Sequence, residues 1–279
     1  MKIRFCSLLS FLGAILAVAT LSACGDSDSA GTGSNDPTTP NQGNVVQAYE
    51  NLPECTQALA GVQYAVEEDQ VAFECKDGDW YNVFKEDKRR NKGSEYDPAT
   101  GVLTDLRDNQ TYRTVTIGDQ VWMAENLRFK YYAQNWVSPC YGDDPVNCEK
   151  YGRLYTVYNG SVVCPKGWHI PDTTEFRILY EKADSMPEKA ARALSSTEGW
   201  AEYDGKSLNG TDAFGFSLLP GGFKCDSRGY LDEGVGSVLL INQPSFDFES
   251  YFVMMFRYNS ADIVIQKAEC YAYARCLKD

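Results

Sequence analysis

The sequence predicts an α+β protein in which a small disulfide-closed β-hairpin module precedes a larger, loop-rich domain. Short segments that alternate apolar and polar residues, separated by Gly and Asp, predict antiparallel strands. Two short amphipathic patterns with helix-capping residues lie among these segments. Helices embedded among antiparallel strands are typical of the α+β class.

The chain has 279 residues and a formal net charge of −13. A polyanion does not seek phosphate backbones, so nucleic acid is not expected as a partner. The sequence has no G-x-x-x-x-G-K motif and no strand-linked G-x-G-x-x-G motif, which leaves nucleotide binding without support.

Residues 1–23 have the pattern of an export signal. A cationic start is followed by an apolar stretch that is too short and too rich in Ser, Gly and Ala to span a bilayer. Ser22 and Ala23 stand directly before Cys24, which resembles the lipobox of bacterial lipoproteins. The resemblance implies a lipoprotein signal peptide with lipidation at Cys24, where two or three acyl chains give stable anchoring. The alternative is an ordinary leader followed by a chance cysteine.

Residues 24–44 are predicted to form a flexible linker, because the segment has no apolar residue larger than Ala after Cys24. Loss of Lys2 and Arg4 with the leader would change the formal net charge from −13 to −15. The acidic residues just after Cys24 are similar to tags of surface-exposed lipoproteins. This favours display at the outer membrane or cell surface.

Eight cysteines would remain after Cys6 is removed and Cys24 is acylated. An even number in an exported protein predicts four disulfides. A zinc site has no support, since no Cys-x-x-Cys pair exists and His169 is the only histidine. We interpret His169 as a hydrogen-bonded turn residue.

Residues 45–97 are predicted to form the small β module and a connector. Two alternating segments around an acidic turn predict a hairpin, and a Cys55–Cys75 disulfide closing about 20 residues would stabilise it by roughly 3 kcal/mol. Three aromatic residues could form a sugar-stacking strip, but use as the core of so small a module is favoured. They are Trp80, Tyr81 and Phe84. The charged run Lys85–Lys92 is interpreted as solvated connector.

Residues 98–279 are predicted to form the main domain. Thr111–Ile117 alternates in polarity and leads into Gly118-Asp119, which suits a type II′ turn before a second strand. Farther along, the apolar segments 251–256 and 263–265 predict two more strands.

Two helices are predicted within this domain. Asp172 and Glu175 have capping-box spacing and place a helix start at Thr173. A second short helix from Pro187 to Leu194 has proline in its first turn and three alanines inside.

Ordered motifs over residues 104–279 carry a family resemblance. They are Arg107–Tyr112, Ile117–Leu127, Tyr151–Tyr155, Cys164–Pro171, Gly210–Phe216 followed by Leu219–Gly222, and the terminal Ala274–Asp279. Together they are similar to the Fibrobacter succinogenes major paralogous domain. The 45–97 unit resembles modules that accompany this domain in secreted lipoproteins.

The family is thought to be related to the C-type lectin-like fold, which formylglycine-generating enzymes share. The resemblance implies a mixed sheet with two flanking helices, a loop-rich binding region, and a disulfide between Cys164 and Cys276. Cys225 and Cys270 then remain as a pair, although other pairings among the cysteines of the C-terminal half stay open.

A calcium site is one way in which lectin-like folds bind sugars. Cys140 and Cys148 are near enough to close an acidic loop that contains Asp143 and Asp144, and a solvated loop is favoured over a calcium site. The carboxamide-Pro-Asp triplet of calcium-dependent lectins is incomplete, since Gln243-Pro244-Ser245 lacks the acid and no Trp-Asn-Asp segment exists. We therefore expect no cofactor.

Aromatic stacking is the other sugar-binding device, because the C–H face of a pyranose can lie on a planar ring. Four loop aromatics are the candidate ligand-binding residues, with burial in the core as an equal alternative. They are Tyr131, Tyr132, Trp136 and Tyr141. The motif tryptophans Trp122, Trp168 and Trp200 are interpreted as core.

We expect a surface-anchored lipoprotein with a non-catalytic binding domain, for plant cell-wall polysaccharide or adhesion. A structural envelope protein that binds another protein is the alternative. A formylglycine-generating-like oxidase is less favoured, because it would need accessible thiols near the C-terminus, where Cys270 and Cys276 are expected in disulfides.

Overall fold

The computed structural model describes residues 44–69, 71–83, 89, 92–133, 136–156, 160–184, 187–244, 250–257, 260–267 and 269–279. The predicted signal peptide, the lipidation site Cys24 and the predicted linker as far as residue 43 lie outside these residues, as do Phe84 and Ser245.

Nineteen strands and four α-helices occur in the described residues. The strands are β1 Val45–Val46, β2 Gln63–Val66, β3 Val71–Lys76, β4 Asp79–Asn82, β5 Ser94–Asp97, β6 Val102–Asp105, β7 Gln110–Ile117, β8 Gln120–Met123, β9 Leu154–Thr156, β10 Trp168–His169, β11 Glu202–Tyr203, β12 Lys206–Ser207, β13 Gly221–Cys225, β14 Gly229–Glu233, β15 Gly236–Pro244, β16 Ser250–Arg257, β17 Ser260–Lys267, β18 Cys270–Tyr273 and β19 Leu277–Lys278. The helices are α1 Pro145–Tyr151, α2 Gly160–Val163, α3 Thr173–Ala183 and α4 Pro187–Leu194. Sheets predominate and helices are few, in agreement with the α+β class. None of the helices in this part of the chain is long and apolar enough to cross a bilayer.

The small module contains a four-stranded sheet in the order β1-β2-β3-β4. β2 and β3 form the predicted antiparallel hairpin, which the Cys55–Cys75 disulfide closes. Trp80 on β4 is buried, and its indole N–H donates to the Pro53 carbonyl at 2.7 Å. Its interpretation as core is therefore confirmed.

Tyr132 of the main domain completes the core of the small module. Its ring lies against Phe73 and Tyr49, with centroid distances of 5.3 and 5.6 Å, and its hydroxyl donates to the carboxylate of Asp69. Asp69 also accepts from Arg89 Nη1 at 2.7 Å, and both of these side chains are buried. Arg89 Nη2 also donates to the Lys130 carbonyl of the main domain at 2.7 Å, so undocking would remove hydrogen-bond partners from both buried charges, and this network fixes the module on the main domain. The prediction of a solvated connector is wrong for Arg89.

A six-stranded sheet in the order β10-β19-β8-β7-β6-β5 contains the predicted hairpin of β7 and β8. Gly118 has a φ of 63°, whereas Asp119 has no positive φ, as a type II′ turn requires. β5 pairs with β6, so residues 94–97 extend this sheet.

A seven-stranded mixed sheet forms the centre of the main domain, in the order β14-β13-β18-β15-β16-β17 with β9 paired to β18. The strands predicted at 251–256 and 263–265 are confirmed as parts of β16 and β17. Adjacent residues of β15 pack into two different hydrophobic clusters. Leu239 packs into the cluster that contains Trp122, and Leu240 packs into the cluster that contains Trp168. Both faces of this sheet are thus covered. The three motif tryptophans are buried as interpreted, namely Trp122, Trp168 and Trp200.

The two predicted helices are confirmed as α3 and α4. Asp172 accepts from the N–H groups of Thr174 and Glu175, and the Glu175 carboxylate accepts from the Asp172 N–H, which completes the capping box. α1 and α2 are additional helices that the sequence pattern does not predict. Asp144 caps α1 by accepting from the Val146 N–H at 3.0 Å.

Four disulfides lie in the described residues. They are Cys55–Cys75, Cys140–Cys148, Cys164–Cys276 and Cys225–Cys270. The pair implied by the family resemblance is present, and the open assignment is resolved as Cys225 with Cys270. The Cys164–Cys276 bond joins residues 112 positions apart and so ties the end of the chain to the middle of the domain.

His169 on β10 connects α3 with the last residue of the chain. Its Nδ1 lies 2.6 Å from Asp279 Oδ1, and its Nε2 lies 2.9 Å from Glu175 Oε1. Burial alone would lower the pKa of His169, but the hydrogen bonds and charges of the two carboxylates outweigh burial and raise it. His169 is hydrogen-bonded as interpreted, on a short strand rather than in a turn.

We expect this clamp to make folding stability depend on pH. With a folded-state pKa above the unfolded value of about 6.5, the contribution is complete below that value and is lost as pH rises through the raised pKa. Urea unfolding of the wild type and His169→Gln across this pH range should show the wild type gaining stability relative to the variant as pH falls. A stability difference that is the same at every pH would contradict the role.

Candidate functional site

The structure does not bring the four candidate aromatics together on one exposed face. Tyr132 and Tyr141 are buried, with 1% and 9% of their surface exposed, so their rings are covered by protein. Tyr131 is partly buried against the core cluster that contains Leu240, and Trp136 stacks on Tyr271 with ring centroids 5.6 Å apart. Burial thus leaves Tyr132 and Tyr141 no free face for a sugar. A ligand contact at Tyr131 or Trp136 stays a prediction.

The two acidic residues considered for calcium have other partners. Asp144 caps α1, and Asp143 accepts a hydrogen bond from the Tyr230 hydroxyl. Gln243, from the incomplete lectin triplet, accepts from the Thr173 hydroxyl at 2.7 Å. Within the described residues, no three His, Cys, Asp or Glu side chains converge as a metal ion requires.

A cavity of about 280 Å³ lies where several of the sequence motifs meet, and we call it the motif cavity. Its walls come from β7, the segment after β8, the end of α1, the loop after α4, the loop before β13 and Arg275, which follows β18. Its volume is near the lower end for small-molecule sites, roughly 300 Å³. The lining residues are Arg113, Ala124, Glu125, Asn126, Arg128, Glu149, Lys150, Tyr151, Gly152, Ser196, Thr197, Glu198, Asp212, Ser217, Leu219 and Arg275.

Arg275 is the most buried charged group of this cavity, with 2% of its surface exposed. Its Nε donates to Asn126 Oδ1 at 2.8 Å, its Nη1 donates to the Phe216 carbonyl, and its Nη2 donates to the Ser217 carbonyl at 3.1 Å. The guanidinium carbon also lies 4.3 Å from the centroid of the Phe216 ring. One side chain thus joins the end of the chain to two distant segments.

The charge of Arg275 is stabilised by uncharged acceptors. Burial lowers its pKa to about 9, and the more distant carboxylates of Glu125 and Asp212 act in the opposite direction. At neutral pH the guanidinium therefore remains charged in the wall of the motif cavity.

Asn126 is held on both sides of its amide. Oδ1 accepts from Arg275, and Nδ2 donates to the Tyr151 carbonyl at 2.7 Å. Gly152 has a φ of 86°, and a Cβ at this position would lie 2.7 Å from Asn126 Cβ. Because only glycine permits both the conformation and the approach, Gly152 lets the end of α1 reach this amide.

The loop before β13 is fixed by its own side chains. Asp212 accepts from the Ser217 backbone N–H at 2.7 Å and from the Ser217 hydroxyl at 2.6 Å. The φ angles of Asp212 and Ser217 are 46° and 52°, a conformation that such local hydrogen bonds help to stabilise. A Cβ on Gly210 would lie 2.1 Å from the Ser195 carbonyl, so glycine is required where the loop passes the end of α4. The loop thereby presents the Ser217 carbonyl to Arg275.

Charged side chains of both signs line the motif cavity in equal number. The cations are Arg113, Arg128, Lys150 and Arg275, and the anions are Glu125, Glu149, Glu198 and Asp212. Glu149, Lys150 and Glu198 are exposed. The balance of charge means that the cavity does not select a strongly charged ligand.

The remaining lining residues are uncharged, namely Ala124, Asn126, Tyr151, Gly152, Ser196, Thr197, Ser217 and Leu219. The exposed carboxylates, ammonium and hydroxyl of Glu149, Glu198, Lys150 and Thr197 offer both hydrogen-bond acceptors and donors, which suits a ligand with many hydroxyl groups. The described lining contains no His or Cys, so it has neither a thiol nucleophile nor an imidazole base.

Residues 115–278, more than half of the chain, match the model of the Fibrobacter succinogenes major domain. This chain belongs to that family. The match confirms the resemblance that the motifs carry, and the major domain includes every residue lining the motif cavity except Arg113. The chain matches no curated protein and no solved structure.

Half of the sixteen residues that line the motif cavity lie in the motifs by which the major domain is recognised, although sequence reasoning assigned them no site. Asn126, Gly152, Asp212 and Arg275 each come from a different motif. The sequence does contain one signal of this site. None of the four residues follows the apolar periodicity of a core helix or strand, so core packing does not explain why they stand in the motifs.

We expect Arg275→Met to destabilise the major domain strongly. The substitution keeps an unbranched buried side chain but leaves Asn126 and two carbonyls without their donors, and each unsatisfied buried group costs about 1–3 kcal/mol. Chemical denaturation should therefore show a loss of roughly 3 kcal/mol or more. Arg177→Met is the matched control, since Arg177 is exposed on α3 and should change stability by less than about 0.5 kcal/mol. Similar stability of the two variants would show that the buried hydrogen bonds are unimportant.

Proposed function

We propose that this protein is an exported, lipid-anchored binding protein whose major domain holds a saccharide in the motif cavity. The observation that carries the proposal is the convergence of four motifs on one polar cavity with balanced charge. Plant cell-wall polysaccharide, or a glycan used in adhesion, is the ligand class that this chemistry favours.

The lining chemistry supports a saccharide in particular. Carboxylates, carboxamides and guanidinium groups can each bond to adjacent hydroxyls, and an exposed carboxylate such as Glu198 accepts from a sugar hydroxyl. Tyr151 adds an aromatic side chain to this lining, although its ring is largely buried.

The domain is proposed to bind without catalysis and without a cofactor. An oxidase resembling the formylglycine generators would need thiols at Cys270 and Cys276, and both are joined to other cysteines. This pairing supports a stapled binding fold over a redox enzyme.

A C-type lectin-like arrangement is the fold that we propose for the major domain. The mixed central sheet, the helices α3 and α4, and the Cys164–Cys276 disulfide support it. The loops that form the motif cavity would then be the binding region of this fold.

The proposed anchor is the lipid on Cys24, with residues 24–44 as the linker to the folded part. The partners are then the membrane, through the lipid, and a polysaccharide or an envelope protein, at the outer membrane or cell surface. The lipobox-like Ser22-Ala23-Cys24 and the polar segment after it support this location.

Lipidation is tested by Cys24→Ser in the native host. The wild type should be recovered in membranes and in a detergent phase, whereas the variant should be recovered in the aqueous phase, because the acyl chains supply the membrane affinity. Mass spectrometry of the wild type should find the leader removed and Cys24 acylated. An intact leader in the purified wild type would refute the anchor.

Saccharide binding is tested by pull-down of the detergent-solubilised full chain on insoluble plant cell-wall polysaccharides. Glu198→Gln should weaken retention about tenfold, the effect of losing one charge-assisted hydrogen bond. Glu181→Gln, an equally conservative change at an exposed position of α3, should bind as the wild type does. If the wild type is retained on no polysaccharide and instead captures an envelope protein specifically, the saccharide proposal is wrong. The protein would then be a structural envelope protein that binds another protein.

A further inference from the structure

A second cavity, of about 420 Å³, lies between the small module and the major domain. We call it the module cleft. Glu68 and Arg89 line it from the small module and the connector, and Lys130 and Arg153 line it from the opposite side. The module cleft exists only because the two parts are docked, with Lys130 Nζ paired to Glu50 at 2.8 Å and Arg89 Nη2 donating to the Lys130 carbonyl at 2.7 Å.

The module cleft is rich in cations although the whole chain has a net charge of −13. Six basic residues line it, namely Arg89, Lys92, Arg107, Arg128, Lys130 and Arg153. Some of them have carboxylate partners: Arg89 pairs with Asp69 at 2.7 Å, and Lys130 pairs with Glu50 at 2.8 Å. Arg107 and Arg128 also have carboxylate partners, Asp105 at 2.7 Å and Glu125 at 3.5 Å, so Lys92 and Arg153 are the cations of the cleft without one among the described residues.

Two arginines of the module cleft have N–H groups to spare. Arg107 bonds to Asp105 through Nε and Nη2, at 2.9 and 2.7 Å, while its Nη1 is buried with no hydrogen-bond partner in the described structure. Arg153 donates through Nη1 to the Ser138 carbonyl at 2.5 Å and has no carboxylate partner among the described residues. The Nη1 atom of Arg107 is itself buried, and its guanidinium carbon lies 3.8 Å from the centroid of the Phe129 ring, so Arg153 and the exposed Lys92 are the cations without a carboxylate partner that a ligand in the cleft can reach.

Acceptor groups stand beside these donors. Asp69, Asp108 and Gln110 are already bonded within the protein. The exposed side chains of Glu68, Asn109 and Glu149 line the cleft as the remaining carboxylate and amide acceptors. A compact inorganic anion would be repelled by the carboxylates. An acidic sugar instead offers one carboxylate to the arginines and several hydroxyls to the acceptors.

We propose that the module cleft binds a carboxylate-bearing saccharide unit, with Arg153 and Lys92 on its carboxylate and the acidic and amide side chains on its hydroxyls. The inference rests on the proposed function only for the saccharide class, because it uses a different cavity. Arg128 and Glu149 line both cavities, so the two sites adjoin.

The test measures binding of trigalacturonic acid and of its methyl ester to the full chain in detergent by calorimetry. The acid should bind, and the ester, which keeps the hydroxyls but lacks the charges, should bind at least about tenfold more weakly. Arg153→Gln and Lys92→Gln should each weaken binding of the acid about tenfold, and added salt should reduce the affinity of the wild type.

Lys206→Gln is the matched control, because Lys206 is exposed on β12 and lines neither cavity. It should bind the acid as the wild type does, and the thermal midpoints of all three variants should match that of the wild type. Lys92 is exposed, so Lys92→Gln keeps the test valid if Arg153→Gln proves unstable. Equal affinity for acid and ester, inorganic sulfate binding as tightly as the acid, or unchanged affinity in Lys92→Gln and any folded Arg153 variant would overturn the proposal. Retention of neutral polysaccharide that still depends on Glu198 would show that the motif cavity works even if the module cleft does not.

Discussion

A buried guanidinium whose acceptors are all uncharged holds the major domain together at the point where its motifs meet. The cost of taking Arg275 out of water is offset only while every acceptor stays in place, so its hydrogen bonds constrain Asn126 and the loop at Phe216 and Ser217 at once. The neighbouring disulfide at Cys276 fixes the backbone from which Arg275 projects. The shape of the motif cavity is therefore a consequence of satisfying one charge.

The small module is attached to the major domain through a buried arginine whose acceptor is charged. There the buried arginine, Arg89, has a carboxylate partner in Asp69, and Tyr132 adds both an apolar ring and a hydroxyl to the same carboxylate. Such a network makes separation of the two parts costly, because opening it exposes apolar surface and takes the Tyr132 hydroxyl and the Lys130 carbonyl away from the buried Asp69 and Arg89. The buried part of the module cleft is thus fixed by contacts within the protein.

The elements that the sequence predicts well are those with local causes. The capping box at Asp172 and the turn at Gly118 act within a few residues, and the structure has α3 and the β7–β8 hairpin there. α1 does have a local start signal in Asp144-Pro145, an N-cap followed by proline in the first turn, but its seven residues are too few to show an apolar period. The motif cavity is harder still to predict from the sequence. The hydrogen bond between Asn126 and Arg275 joins residues 149 positions apart and follows no helix or strand periodicity. For the same reason, the aromatic residues of the 129–141 segment could not be divided into buried and free before their tertiary neighbours were known.

Tyr132 shows that the boundary of the small module along the chain differs from its boundary in space. Along the chain, the small module ends well before residue 132, yet in space its core contains that ring. A gene fusion that moved only residues 45–83 into another protein would carry a hole where the ring belongs and a carboxylate, Asp69, without its donors. Exchange of this module between proteins therefore requires a recipient that already supplies an equivalent tyrosine, which limits which architectures can inherit it.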